Sequence, residues 1–204
     1  MSHYAGALKV IEKLQRIWRG LTGRETTYPH ELAFILTSPL RNLILSPAAL
    51  ASRLSLEESD VVLEIGPGPG YFSSEIAQRL PQGRLELFDL QPEMLKKARR
   101  RIQHHSLTNA GYTAGDATRL PYRDGVFDRV FLVAVLGEVP DHEACLQEAH
   151  RVLKADGQLS ITEQPGDPDF IKRAHLDQMA ARAGFEPAES FGRGLNYTAN
   201  YGKA

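Results

Sequence analysis

With 204 residues, 42% of them hydrophobic and 24% charged, the chain has the makeup of one globular domain with a large core. A net charge of −1 supplies no global field for nucleic acid, and the single cysteine, Cys145, excludes an internal disulfide and a cysteine-built zinc site. No apolar run approaches the ~20 residues of a membrane span and Met1–Leu21 lacks a signal-peptide core, so the expectation is a cytoplasmic enzyme.

The first sixty residues read as a helical prefix. Ala7–Trp18 places Leu8, Ile11, Leu14 and Trp18 on one stripe, with Lys9, Lys13, Arg16 and Arg19 around much of the remainder. Such a basic amphipathic helix is either an ordinary packed helix with a solvated face or a helix that lies on an anionic membrane or caps a substrate pocket. A polar linker, Gly20–Thr27, leads to short apolar helical pieces at Glu31–Thr37, Leu40–Leu45 and Ala48–Leu54. The Ser38-Pro39 and Ser46-Pro47 pairs between them are cap-plus-first-turn signals. Tyr28 and His30 occupy the one polar, aromatic-bearing loop of this prefix.

Val61–Ile65 is a β-branched and leucine run of the kind buried on both faces of a parallel sheet. It breaks into Gly66-Pro67-Gly68-Pro69-Gly70, after which Phe72, Ile76, Ala77 and Leu80 recur at helical spacing until Pro81. Strand, glycine turn and helix make the first unit of a nucleotide-binding α/β domain, where glycines admit a close ligand and the helix N-terminus offers unpaired N–H groups. A dinucleotide fingerprint would need its third glycine at position 71, which is Tyr71; the pattern from Glu64 is instead E-x-G-x-G-x-G.

Arg84–Asp89 is the second strand, and Asp89 lies 23 positions after Gly66 at its carboxyl end. A carboxylate there can accept bonds from both hydroxyls of a ribose, or it can cap the helix that starts near Gln91-Pro92. The spacing favours ribose. The next helix carries Leu95, Ala98 and Ile102 on one stripe and a cationic cluster, Lys96, Lys97, Arg99, Arg100 and Arg101, that reads as a solvated face matched to the helix dipole. A short third strand, Tyr112–Ala114, ends at Gly115-Asp116-Ala117, and the turn signal Asp124-Gly125 precedes a fourth strand, Arg129–Val135. Strand five is Gln158–Glu163, a helix spans Asp169–Ala183, and Phe185–Phe191 with Asn196–Tyr201 forms a terminal antiparallel pair about Gly192-Arg193-Gly194.

The E-x-G-x-G-x-G turn resembles the first motif of the class I methyltransferases that use S-adenosyl-L-methionine (SAM). The run Leu120-Pro121-Tyr122-Arg123-Asp124-Gly125-Val126-Phe127-Asp128 looks like the small-molecule and lipid enzymes grouped with the ubiquinone and menaquinone methylases (type 11). His150-Arg151-Val152-Leu153-Lys154-Ala155-Asp156-Gly157 is similar to that group's R-V-L-K-P-G-G ending, with Ala-Asp for Pro-Gly, and Gly157 is expected to keep the chain reversal. The resemblance covers roughly residues 61–202. It implies a Rossmann-like α/β fold: a seven-stranded, mostly parallel sheet with an antiparallel terminal strand, helices on both faces and the helical N-terminal prefix. It divides the chain into a prefix or lid, residues 1–54, and a SAM-binding domain, residues 55–204. It implies SAM as cofactor, held by Glu64, Gly66, Pro67, Gly68, Gly70, Asp89, Leu90, Asp116, Ala117 and Val133, with the acidic residue after strand three on the adenine amino group.

The acceptor must be read from the end of strand four, Ala134-Val135-Leu136-Gly137-Glu138-Val139-Pro140. No N-P-P-Y or N-L-P-Y tetrad stands there, which argues against exocyclic amines of nucleic-acid bases. Cys145 falls on an apolar stripe with Ala149 and Val152, which argues against a nucleophilic cysteine. Related quinone enzymes often carry histidines in this loop, whereas this chain has Gly137-Glu138 and a later His142. Glu138 is a base, an orienting group or a helix cap; Tyr28, Tyr71 and His142 are further candidates, and no catalytic residue is assigned. The expectation is therefore methyl transfer to a small or lipid-like acceptor, without metal, with peripheral membrane contact through the first helix as an option. Methylation of RNA or protein, SAM binding without transfer, and a nicotinamide-dependent oxidoreductase (disfavoured by Tyr71) are the alternatives.

Overall fold

A computed structural model describes residues 45–165 and 167–204. The expected helices at Ala7–Trp18 and Glu31–Thr37, nearly all of Leu40–Leu45, the Gly20–Thr27 linker, Tyr28 and His30 lie outside the described residues.

The described chain begins with helix α1, Pro47–Arg53, where the Ser46 side chain accepts from the Ala49 N–H at 3.1 Å and Pro47 takes the first turn, as the Ser-Pro pair predicts. Then follow β1 (Val61–Ile65), α2 (Ser73–Gln78), β2 (Arg84–Asp89), α3 (Pro92–His104), β3 (Ala110–Ala114), β4 (Phe127–Val133), a 3₁₀ turn (Leu136–Glu138), α4 (His142–Val152), β5 (Leu153–Glu163), α5 (Arg173–Arg182), β6 (Phe185–Arg193) and β7 (Asn196–Lys203). The strands form one seven-stranded sheet in the order β3-β2-β1-β4-β5-β7-β6. The pairs from β3 through β5 are parallel, and β7 is antiparallel to both β5 and β6.

Alternation along the strands divides the core between the two faces. Val62 of β1 and Leu85 and Leu87 of β2 pack with Leu50 and Leu54 of the α1 region, Ile76 of α2 and Ala98 and Ile102 of α3. Leu63, Ile65, Val130, Leu132, Leu159 and Ile161 pack on the other face against Cys145 and Ala149 of α4 and Leu176 and Met179 of α5. Cys145 is thus core, its thiol pushed up to about 12 by burial, and it is not available as a thiolate nucleophile.

Ion pairs fix the strand-four motifs in place. Asp128 accepts from the Val61 N–H at 2.8 Å through one oxygen and pairs with Lys154 at 2.6 Å through the other. Arg151 donates to Asp124 and Glu148 at 2.7 Å and to the Leu120 and Tyr122 carbonyls. The two motifs that appear separate in the chain are therefore one clamp.

Several boundaries differ from expectation. The third strand starts at Ala110 and the fourth at Phe127, because parallel pairing recruits the flanking residues. The last helix starts at Arg173, four residues later than expected. The reversal expected at Gly157 is a bulge within β5: pairing advances from Phe127–Leu153 to Arg129–Gln158, leaving three extra residues on β5. Gly157 serves close packing there, since a Cβ would sit 2.7 Å from Leu153 Cγ and 3.0 Å from the Asp128 carbonyl oxygen.

Candidate cofactor and acceptor site

The sheet order reverses between β1 and β4: the chain runs from β1 outward through β2 to β3, then crosses to β4 and β5 on the other side. Loops at the carboxyl ends of strands diverge at such a point and leave a crevice. All the residues expected to bind a cofactor from the sequence lie along this edge.

In the turn after β1, Gly66, Gly68 and Gly70 have φ of +69°, +54° and +78°, a region that penalises any side chain. Two of them are also pressed by neighbours. A Cβ on Gly66 would lie 2.5 Å from Val135 Cγ2, and one on Gly70 2.9 Å from Ala98 Cα. The Pro67 carbonyl, between them, accepts from the Gly70 N–H at 3.0 Å and closes the turn. Buried Glu64 points to the same side and accepts from Ser73 Oγ at 2.5 Å, tying the end of β1 to the start of α2. That helix has six residues, so the cradle rests on the turn itself and its clamps more than on a helix N-terminus.

Asp89 is the main clamp. Its carboxylate accepts from the Gly68 N–H at 3.2 Å and the Gln91 N–H at 2.8 Å, and its backbone carbonyl accepts from the Gly115 N–H at 3.1 Å. One residue thereby joins the loops after β1, β2 and β3. Gln91 occupies the N-cap position of α3 without a side-chain cap bond, and Asp89 lies two residues earlier, outside that position, accepting from the Gln91 N–H. Asp89 is 8% exposed, and burial raises its carboxyl to about 6 against the opposing pull of the Gln91 and Gly68 N–H groups. An ionised carboxylate offers about four lone-pair sites, so two remain for the hydroxyls of a ribose.

Leu90 follows with 61% of its surface exposed, an apolar group at the mouth of the crevice of the kind a purine ring covers. Asp116, exposed after β3, accepts from the Thr118 N–H and hydroxyl through one oxygen at 2.9 and 2.8 Å, and those bonds hold its carboxyl below the usual range. Ala117 packs against the core beside it, and Val133 is buried at the end of β4. The glycine turn, the buried carboxylate with spare acceptor capacity and the exposed leucine together fit SAM: Gly66, Gly68 and Gly70 would admit its amino-acid end, Asp89 its ribose and Leu90 with Asp116 its adenine.

Beyond β4 the sequence is less informative. Ala134 has φ +53° without being glycine, a strained turn that sends Val135 beneath Gly66. Gly137 packs so closely on the backbone after β5 that a Cβ would collide with the Asp169 carbonyl oxygen. Glu138 ends the 3₁₀ turn and does not cap α4; Asp141 does, accepting from the Ala144 N–H at 2.9 Å. His142 is the first residue of α4. Glu163, at the end of β5, is 0% exposed, and the sequence marks it only as a strand terminus. Its position at the end of Leu159-Ser160-Ile161-Thr162, a strand due to be buried, was the available signal. Among the described residues no group of three His, Cys, Asp or Glu side chains could hold a metal, and no helix is long and apolar enough to cross a membrane.

Comparison with known proteins points the same way. Residues 62–157 match the methyltransferase domain family. A demethylmenaquinone methyltransferase of Listeria welshimeri is 33% identical over 120 residues, 57% of this chain and 51% of that protein. A ubiquinone/menaquinone biosynthesis C-methyltransferase of Hydrogenovibrio crunogenus is 33% identical over 110 residues, 53% of this chain and 43% of that protein. The chain thus spans about half the length of the curated relatives it matches. In fold it superimposes on a SAM-dependent methyltransferase from Aquifex aeolicus with a TM-score of 0.79 and 19% identity, covering 86% of this chain and 98% of that one.

Proposed function

We propose that this chain is a class I SAM-dependent methyltransferase, as its match to the methyltransferase domain family and its 33% identity to quinone methyltransferases support, and that it transfers a methyl group from SAM to a small, lipid-like acceptor of the quinone type. The observation that carries the cofactor half of this reading is Asp89, a buried carboxylate that spans three loops and keeps acceptor capacity in reserve. SAM brings an activated sulfonium methyl, so the protein's tasks are alignment and exclusion of water, with a base where the acceptor needs one. Gly66, Gly68, Gly70 and Asp89 align the donor, with Glu64 bracing the turn from behind; Leu90, Asp116, Ala117 and Val133 complete the pocket. The acceptor class is supported by the names of the quinone-methyltransferase relatives, by the L-P-x-x-D-G-x-F-D run and by the absence of a base-amine tetrad after β4. Residues 1–54 serve as the lid over the acceptor and residues 55–204 as the SAM-binding domain. The protein works in the cytoplasm, and the basic stripe of Ala7–Trp18 brings it to membranes that hold a lipid-like acceptor.

Calorimetry of the full chain should detect SAM and not NAD. Incubation with tritiated-methyl SAM and fractionated extracts should label the lipid and small-molecule fractions. Selective labelling of purified rRNA or tRNA would overturn the acceptor class, and absence of SAM binding would overturn the reading entirely.

A further inference from the structure

The ends of β1 and β2 and the loops after β1, β2 and β3 hold all the expected cofactor residues except Val133 of β4, which leaves most of the β4–β5 half of the carboxyl edge for the acceptor. On that half Glu163 is fully buried at the end of β5, on the sheet face shared by Leu159 and Ile161. One carboxyl oxygen, Oε2, accepts a long 3.4 Å bond from the Ile171 N–H, and Oε1 has no hydrogen-bond partner among the described residues. The surroundings are built of backbone and rings. The Asp169 carbonyl is pressed against Gly137 of the loop after β4, and Tyr197, paired with Glu163 across β5 and β7, donates its hydroxyl to the Ile171 carbonyl at 2.7 Å. A buried carboxyl with an unmade bond is costly, and packing alone would be better served by an apolar side chain. Such a group calls for an explanation, and a ligand that completes the bond supplies one.

We propose that Glu163 receives the acceptor: Oε1 accepts the hydrogen bond of an enol- or phenol-type hydroxyl, as a hydroquinone presents, and takes its proton during methyl transfer. This rests on the methyl-transfer reading above and names the chemistry of its acceptor. The O–H bond breaks toward the Glu163 carboxylate, the released pair drives the adjacent ring carbon to form a carbon–carbon bond with the methyl group, and the sulfur–methyl bond breaks with its pair left on sulfur as a thioether; that carbon's proton then leaves to solvent as Glu163 returns its proton to the oxygen. No oxidant or reductant is needed.

The charges around Glu163 suit this role. Burial, with the Asp167 and Asp169 carboxylates on the following segment, pushes its carboxyl up to about 8. Tyr197 faces it from β7, with Arg173 of α5 over the tyrosine ring at 5.9 Å and Asp177 beyond. A base in this range is far better matched to a phenolic proton than a surface carboxylate is.

The test compares wild type with Glu163→Gln and Glu163→Asp in the full chain. The probe is 2-prenyl-1,4-naphthohydroquinone under anaerobic conditions. Three readouts are needed: SAM affinity, binding of the probe to protein loaded with S-adenosylhomocysteine, and the single-turnover rate of methyl transfer against pH. The expected result is SAM affinity within about twofold for all three proteins. Glu163→Gln should lose ~100-fold in rate together with the rising limb near pH 8, bind the probe more weakly, and be partly rescued by Glu163→Asp. Normal probe binding and rate in Glu163→Gln would overturn the proposal. So would a parallel fall in SAM affinity, which would make Glu163 a support of the cofactor or the fold. If wild type binds SAM yet neither binds nor methylates the hydroquinone, the quinone-type acceptor itself is wrong, and Glu163's assignment to it falls as well.

Discussion

Gly66→Ala tests whether the turn after β1 and the segment after β4 are mechanically joined. The added methyl must sit at φ +69°, where a side chain costs about 1–2 kcal/mol. It must also displace Val135, whose Cγ2 and Cγ1 would stand 2.5 and 2.6 Å away. Overpacking of that kind costs about 1–3 kcal/mol. The sum, about 2–5 kcal/mol, is a large part of the stability of an ordinary domain and is readable by urea denaturation from the shift of midpoint at constant slope. The two contributions separate in a double-mutant cycle. Val135→Ala removes both γ carbons and should return about 1–3 kcal/mol in the Gly66→Ala background while leaving the backbone contribution in place. Gly70→Ala provides the contrast: its methyl would meet the Ala98 Cα at 2.9 Å, and no side-chain truncation can clear backbone. Equal unfolding midpoints for wild type and Gly66→Ala, or a cycle with no coupling to Val135, would refute the reasoning.

The remaining predictions concern the two buried carboxyls. Asp89→Ala should weaken SAM binding at least about tenfold, since a charged hydrogen bond is worth roughly 1.5–3 kcal/mol and two are lost; in the wild type SAM affinity should fall as pH drops through about 6, where Asp89 takes up its proton. Unchanged calorimetric affinity in Asp89→Ala would remove the ribose assignment. Glu163 is raised from 4.5 to about 8 in the folded chain, so the native state binds the extra proton and stability falls as pH rises between those values. At 1.36 kcal/mol per unit the penalty above pH 8 has a ceiling of about 5 kcal/mol; Glu163→Gln should therefore gain thermal stability over wild type at pH 9 and lose that advantage near pH 5. A pH-independent difference between the two would show that Glu163 does not ionise there.

What the sequence made legible was decided locally. The run Val61–Ile65 is strand by composition whatever surrounds it, the Ser46-Pro47 pair caps a helix by its own chemistry, and the glycines after β1 announce a left-handed turn. The seven strands and the core stripes on α3 and α4 follow from the same short-range signals, whereas the insertion of β7 between β5 and β6 was expected only from the family resemblance. Boundaries set by pairing were less visible. The early start of β4 at Phe127 depends on its partner Leu153, and the bulge that replaces the expected reversal at Gly157 depends on register with β4. The bond that Asp89 makes to the Gly68 N–H, 21 residues away in the chain, was likewise invisible in the sequence.

The same distinction explains why the sequence offers candidate residues for the proposed cofactor half of the edge and few for the acceptor half. A turn that admits a nucleoside needs glycine at fixed spacing, which leaves a written pattern. The acceptor half is assembled from contacts between distant segments that any of several residue types could make. Ala134 carries a positive φ with no glycine to mark it, and its turn puts Val135 under Gly66 while Gly137 meets the Asp169 carbonyl. One short stretch after β4 therefore touches the cofactor turn at one end and the segment over Glu163 at the other. Because both contacts are made at backbone-to-backbone or methyl-to-backbone range, a shift of a few tenths of an ångström on either side must be taken up by the other. In the proposed reaction this stretch sets the distance between the donor cradle and the buried carboxyl, and alignment of that distance is what methyl transfer demands of the protein.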